Sequence, residues 1–198
     1  NNELEAFKQK FPYEFTNAQS KSIAKILEDI ADTKTMIRLL QGDVGAGKTI
    51  VATMALYACI KSGYQAAIMA PTEILAEQHF AFLSDFFAGT DTEVVPLLGK
   101  LTAKQTRMSL EKIKTLKNCL VVGTHAIFQE RVEYNNLGLV VIDEQHRFGV
   151  EQRLALMQKG SGSDFQSPHQ LIISATPIPR TLAMTLYGNL KLSILDEL

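Results

Sequence analysis

The sequence predicts a doubly wound α/β fold: a mainly parallel sheet of about seven strands with helices on both faces. Three observations predict it. Strand-length runs rich in Val, Ile and Leu recur along the chain, nearly continuous in apolar residues, as strands buried on both faces require. Helix-length patterns fill the intervals between them, so strand and helix alternate almost from end to end. At 198 residues, with 46% hydrophobic and 21% charged residues, the chain suits one domain that buries roughly 70% of its unfolded surface.

Taken in order, the strand runs cover 36–40, 65–70, 93–98, 119–123, 137–142, 170–174 and 190–195. Helical patterns cover 18–32, 49–61, 73–87 and 103–116, and Thr16 with Gln19 forms a capping box ahead of the first. Gly63 and Gly89 stand where helices stop, because glycine enters the left-handed C-terminal turn without steric cost. Residues 160–164, Gly-Ser-Gly-Ser-Asp, read as a flexible loop. The chain opens on Asn1 and closes on Leu198 directly after a strand run, so we expect one domain of a longer protein.

Composition narrows the function classes. The net charge of −1 means that any nucleic-acid contact must come from a local patch and not from a basic envelope. Cys59 and Cys119 sit inside apolar runs and read as core thiols of a reducing compartment. His79, His125, His146 and His169 lack ligand spacing, so no structural metal is expected. The longest apolar stretch, 50–60, is too short to span a bilayer, and no secretory pattern opens the chain. A cytoplasmic location without membrane contact is the expectation.

The most informative segment is Gly42-Asp43-Val44-Gly45-Ala46-Gly47-Lys48-Thr49, between a strand run and a helix run. Such a loop aims backbone N–H groups and the positive end of a helix at one point, where phosphates bind. Lys48 adds a mobile positive charge, and the Thr49 hydroxyl can ligate Mg²⁺. A second signal follows the buried run Val140-Val141-Ile142, which leads straight into Asp143 and Glu144. Desolvating two adjacent carboxylates is costly unless a cation or donors compensate. With a phosphate loop on the same sheet, Asp143 would hold Mg²⁺ and Glu144 would polarise the attacking water. The alternative is a plain loop start with Asp143 as a helix cap.

Three further segments each leave an apolar run: Ala70-Pro71-Thr72-Glu73, Gly123-Thr124-His125 and Ser174-Ala175-Thr176-Pro177. In an open α/β sheet, ligands gather outside the carboxyl ends of the strands. Taken singly, each segment is also a plausible strand-exit turn.

With these motifs in this order, the chain resembles the first motor domain of the DExH group of superfamily-two helicases and translocases. More narrowly, it resembles the bacterial enzymes that move DNA branches, over nearly its whole length. The resemblance implies a RecA-like fold and ATP as cofactor with Mg²⁺. It implies that Lys48 and the loop hold the β- and γ-phosphates, with Thr49 and Asp143 on Mg²⁺ and Glu144 as catalytic base. Gln145 and His146 would sense the γ-phosphate and relay to Ser174 and Thr176. Pro71, Thr72, Glu73, Gly123, Thr124 and His125 would lie along the nucleic-acid backbone. Gln19 would read adenine with Tyr13 stacked beside it, a role compatible with the capping box. The motor of the transcription-repair coupling factors is similar around Arg147-Phe148-Gly149, but usually carries Glu where this chain has Gln145.

The helix after Gly99 bears Lys104, Arg107, Lys112, Lys114 and Lys117, which we read as a solvated face with Arg107 paired to Glu111. Lys100 and Thr102, in a loop after a strand, are better DNA candidates. No second phosphate-binding fold is present, and nothing marks Arg147, Arg153 or Arg180 as the cation that stabilises a phosphoryl transition state. The family places that group on a second motor domain. The implied partners are therefore branched or duplex DNA, together with a second motor domain and a wedge domain of the same chain. A P-loop ATPase that acts on no nucleic acid is the rival reading.

Overall fold

The computed structural model describes residues 2–11, 14–32, 34–42, 47–144, 168–174 and 190–195. Seven strands form one sheet: β1 (Ile37–Gly42), β2 (Gln65–Met69), β3 (Val94–Leu97), β4 (Leu120–Gly123), β5 (Leu137–Glu144), β6 (His169–Ser174) and β7 (Leu190–Leu195). Their spatial order is β3-β4-β2-β5-β6-β1-β7. Every pairing among them is parallel, so the expected mainly parallel sheet is wholly parallel where described. Each predicted strand is present, with ends shifted by a residue or two.

Among the described residues five α-helices accompany the sheet: α1 (Asn2–Lys8), α2 (Asn17–Ala31), α3 (Lys48–Lys61), α4 (Glu73–Phe86) and α5 (Ala103–Thr115). Local chemistry explains their starts. Thr16 Oγ1 accepts from the Gln19 N–H at 3.1 Å while Gln19 Oε1 accepts from the Thr16 N–H at 2.9 Å, the reciprocal box that satisfies two end donors of α2. Thr102 and Gln105 do the same for α5, and Thr72 caps α4 through the Leu75 N–H. Gly63 and Gly89 take φ of +90° and +79° beyond the ends of α3 and α4, as their placement in the sequence anticipated.

Two apolar layers flank the sheet. On one face Leu40, Ala66, Ile68, Leu139, Val141 and Ile173 pack under α2, α3 and the inner side of α4. On the other, Ala67, Met69, Val140, Ile142 and Ile172 pack against Ile113 of α5 and against Ile127 and Val132. Helix α3 is buried almost all round, with Val51, Met54 and Leu56 fully enclosed, so it is the central helix of the first layer. Cys59 and Cys119 lie inside these layers, and burial pushes their thiols up to about 12 and about 11. Both are therefore unreactive core residues, as read from the sequence.

The pattern reading did not anticipate α1. At 7 residues it is too short to persist alone. It is held by aromatic packing: Phe7 stacks on Tyr57 with centroids 3.8 Å apart and meets Phe86 edge-on at 5.6 Å. The chain then continues through Phe11 to Phe15, 5.3 Å apart, which leads into Thr16. A charged network ties the edge strand β7 to the sheet. Arg38 on β1 is buried and donates to Ser193 Oγ at 2.6 Å and to Asp29 on α2, while Lys191 donates to Asp29 at 2.7 Å. Burial raises the cost of the Asp29 charge, but the hydrogen bonds from Lys191 and Arg38 outweigh it and hold its carboxyl below the usual range.

One surface expectation is corrected. Arg107 and Glu111 form no ion pair among the described residues; Lys112 pairs with Glu93 and Lys114 with Glu133 at 3.5 Å. The i,i+4 spacing permits the Arg107–Glu111 pairing but does not enforce it, because an exposed ion pair gains little over solvation. The face is still solvated, as expected.

Candidate functional site

The parallel register brings the candidate residues to one edge of the sheet. Leu40 on β1 is level with Ile173 on β6, and Ile173 with Asp143 on β5. One residue further on, Gln41, Ser174 and Glu144 are level. Two strand spacings therefore separate the Asp143 backbone from the end of β1, about 10 Å. Side chains alternate along a strand, so Asp143 shares the face of Val141, which packs beneath α3. Lys48 begins α3 on that face. Lys48 and Asp143 thus occupy one face at one edge, the arrangement that the phosphate-loop reading requires.

At the entrance to α3, Gly47 adopts φ +77°. A Cβ there would stand 1.9 Å from Gln19 Nε2, so both conformation and space demand glycine. Gln19 is 4% exposed, and its amide therefore touches the phosphate loop while its Oε1 holds the α2 cap. The Lys48 ammonium donates to the Gly42 carbonyl oxygen at 2.5 Å, bridging the two ends of the loop. Thr49 is exposed beside it. Tyr13, Asp43, Val44, Gly45, Ala46, Gln145, His146 and Thr176 lie outside the described residues, as do Arg147, Arg153 and Arg180. Glu144 enters the description only as strand backbone, and Ser174 is buried at the end of β6.

The remaining candidates collect on the neighbouring half of the same edge. Leu97, Gly123 and Met69 end β3, β4 and β2 at one level. Pro71, Thr72 and Glu73 follow β2, Thr124 and His125 follow β4, and Lys100 follows β3. Gly123 has no space for a side chain, since a Cβ would meet the Leu97 carbonyl oxygen at 2.6 Å and Ile127 Cγ2 at 2.9 Å. His125 opens a 3-10 turn, His125–Phe128, that the sequence reading did not include. Burial pushes its imidazole down from the usual 6.5, favouring the neutral ring.

Glu73 behaves differently from its neighbours. Its Oε2 accepts from the Gly99 N–H at 3.0 Å, so the carboxylate anchors the loop that carries Lys100. Lys100 remains 61% exposed, with Glu77 at 3.7 Å.

His79 is the site residue that sequence reasoning missed. Its Nε2 lies 2.7 Å from Asp143 Oδ2, a contact across 64 positions of sequence. In the sequence it was one of four scattered histidines. Only its helical phase hinted at more, because Ala76, His79 and Leu83 share the inward side of α4.

The sequence pattern of the DEAD/DEAH box helicases matches residues 16–185. The chain is 54% identical over 195 residues to the ATP-dependent DNA helicase RecG of Haemophilus influenzae, covering 96% of this chain and 28% of that protein. It is 53% identical over 187 residues to the RecG of Escherichia coli K12, covering 94% of this chain and 27% of that one. The chain therefore spans little more than a quarter of these relatives. A solved structure of RecG bound to a three-way DNA junction superposes with a TM-score of 0.84 at 38% identity, over 100% of this chain and 26% of that chain. The helicase MrfA superposes at 0.74 with 18% identity, a likeness of fold alone. By pattern, by sequence and by fold, this chain belongs to the DEAD/DEAH box helicase family.

Proposed function

We propose that this chain is the ATP-binding motor domain of an ATP-dependent DNA helicase that remodels branched DNA, acting from within a longer protein. The observation that carries the reading is the division of one sheet edge. Strands β5, β6 and β1 present the nucleotide candidates, while β3, β4 and β2 present hydroxyls, amides and Lys100. A motor needs both halves side by side, so that one can sense the other. The relatives named RecG, one solved on a DNA junction, support the choice of branched DNA over the motor of a coupling factor.

Each residue has a role that its chemistry permits. Lys48 and the amides at the start of α3 would hold the β- and γ-phosphates. Gln19 would offer amide donor and acceptor atoms to adenine, with Tyr13 beside the base. The donor set fits Mg²⁺: the carboxylate of Asp143 and the exposed hydroxyl of Thr49 are hard oxygen ligands at the same rim. When bound, the ion would neutralise charge on the phosphate oxygens. Glu144 would take the proton from the attacking water. Gln145, His146, Ser174 and Thr176 would relay the nucleotide state across the rim. Thr72, Gly123, Thr124, His125 and Lys100 would contact the DNA backbone without reading sequence. The cation for the transition state would come from a second motor domain, with a wedge domain engaging the branch.

No helix among the described residues is long and apolar enough to cross a membrane, and a cytoplasmic site of action suits a DNA motor. The test is ATP turnover by the full-length protein with and without branched and duplex DNA across a salt series. Stimulation that fades as salt rises is expected, because backbone contacts release counterions. Turnover indifferent to every nucleic acid would favour a P-loop ATPase of the transport or assembly type.

A further inference from the structure

The two halves of the rim meet between β2 and β5, and a side-chain hydrogen bond spans that seam. Helix α4 follows β2, and Glu73 in its first turn holds the loop of Lys100. Six residues on, or about 9 Å along the helix, His79 Nε2 reaches Asp143 Oδ2 at 2.7 Å. Both side chains are largely enclosed, 13% and 20% exposed. An ionised carboxylate only accepts, so Nε2 carries the hydrogen and donates it. Apolar side chains fill the neighbouring inward positions of α4, Ala76 and Leu83, so a polar ring at this position stands out.

We propose that His79 is a positioning residue for Asp143. Its donated hydrogen bond fixes the carboxylate and occupies Oδ2, which leaves Oδ1 for the hydration shell of the ion. Such outer partners of a metal-binding carboxylate set its orientation and basicity. Because His79 and the anchor of the Lys100 loop are on one rigid helix, the metal-binding carboxylate is tied to the nucleic-acid half of the rim. The inference rests on the nucleotide-site reading above.

The experiment titrates Mg²⁺ into the full-length protein with a fluorescent, slowly hydrolysed ATP analogue. It reads the ion concentration that gives half of the metal-dependent gain in affinity, with a parallel nucleotide titration in EDTA. His79→Ala and His79→Leu should raise that concentration about 10- to 100-fold, with the EDTA affinity unmoved. His79→Gln keeps an N–H donor and should restore most of the loss. Should His79→Ala fail to fold, the Leu and Gln variants decide, since both fill the volume. An unchanged Mg²⁺ requirement in His79→Leu, or an equal loss with and without the ion, would overturn the proposal. If the unaltered protein gains no nucleotide affinity from Mg²⁺, the nucleotide-site reading itself fails and takes this inference with it.

Discussion

Gly47→Ala tests the join between the glycine-rich loop before α3 and helix α2, whose Gln19 reaches it. Alanine at φ +77° costs about 1–2 kcal/mol, because its Cβ crowds the following carbonyl. A second cost arises from space. The new Cβ would lie 1.9 Å from Gln19 Nε2, so the amide must leave. A flexible side-chain end normally yields cheaply, but this one is 4% exposed and its Oε1 holds the Thr16 N–H at 2.9 Å. Displacing it forfeits half of the capping box, worth about 0.5–2 kcal/mol for a helix cap. The sum is about 1.5–4 kcal/mol, which for a domain of this size lowers the melting temperature by about 2–4 °C per kcal/mol. Urea unfolding of Gly47→Ala, Gln19→Ala and the double variant separates the two parts. Shortening Gln19 removes the clash, so the double variant should be more stable than the sum of the single losses predicts, by about 0.5–2 kcal/mol. Strict additivity would show that Gln19 does not press on the loop. A Gly47→Ala variant as stable as the parent would refute both steps of the reasoning.

Other consequences can be checked separately. Lys48→Ala in the full-length protein should lose nucleotide affinity and turnover together, whereas Glu144→Gln should keep ATP binding and lose hydrolysis; equal turnover by Glu144→Gln and the parent would remove Glu144 from the base role. The isolated 198-residue chain should hydrolyse ATP far more slowly than the full-length protein, since an absent cationic finger is worth about 10³- to 10⁵-fold; full helicase speed from the chain alone would refute a split site. Asp29 has a folded pKa below its usual 3.8, so the stability it adds is complete above that pH and is lost as pH falls through the lower folded value. Denaturation followed from pH 6 downward should show this acid limb, and Asp29→Asn should flatten it; an unaltered limb would exclude Asp29 as its source.

The sequence alone determined the elements and their local chemistry. Seven apolar runs became seven strands, and Thr16 and Gln19 closed their capping box. Gly63 and Gly89 took the left-handed turns, and the loop before Lys48 was recognisable because its glycine spacing lies in contiguous sequence. Each of these signals is written within a few neighbouring residues. The tertiary structure decided what stands beside what. Runs of Val, Ile and Leu are interchangeable as pairing partners, so nothing in them orders β2 next to β5 or inserts β6 between β5 and β1. That order alone divides the edge into two adjoining halves. It also lays α3 over β2 and β5 and α4 over β3 and β4, near enough for His79 to meet Asp143 and for Glu73 to anchor the loop of Lys100. Helix α1 belongs with these tertiary decisions, since it persists only where Tyr57 and Phe86 receive Phe7. Contacts between distant residues arise from packing complementarity across the folded chain, and no single segment of sequence contains both surfaces.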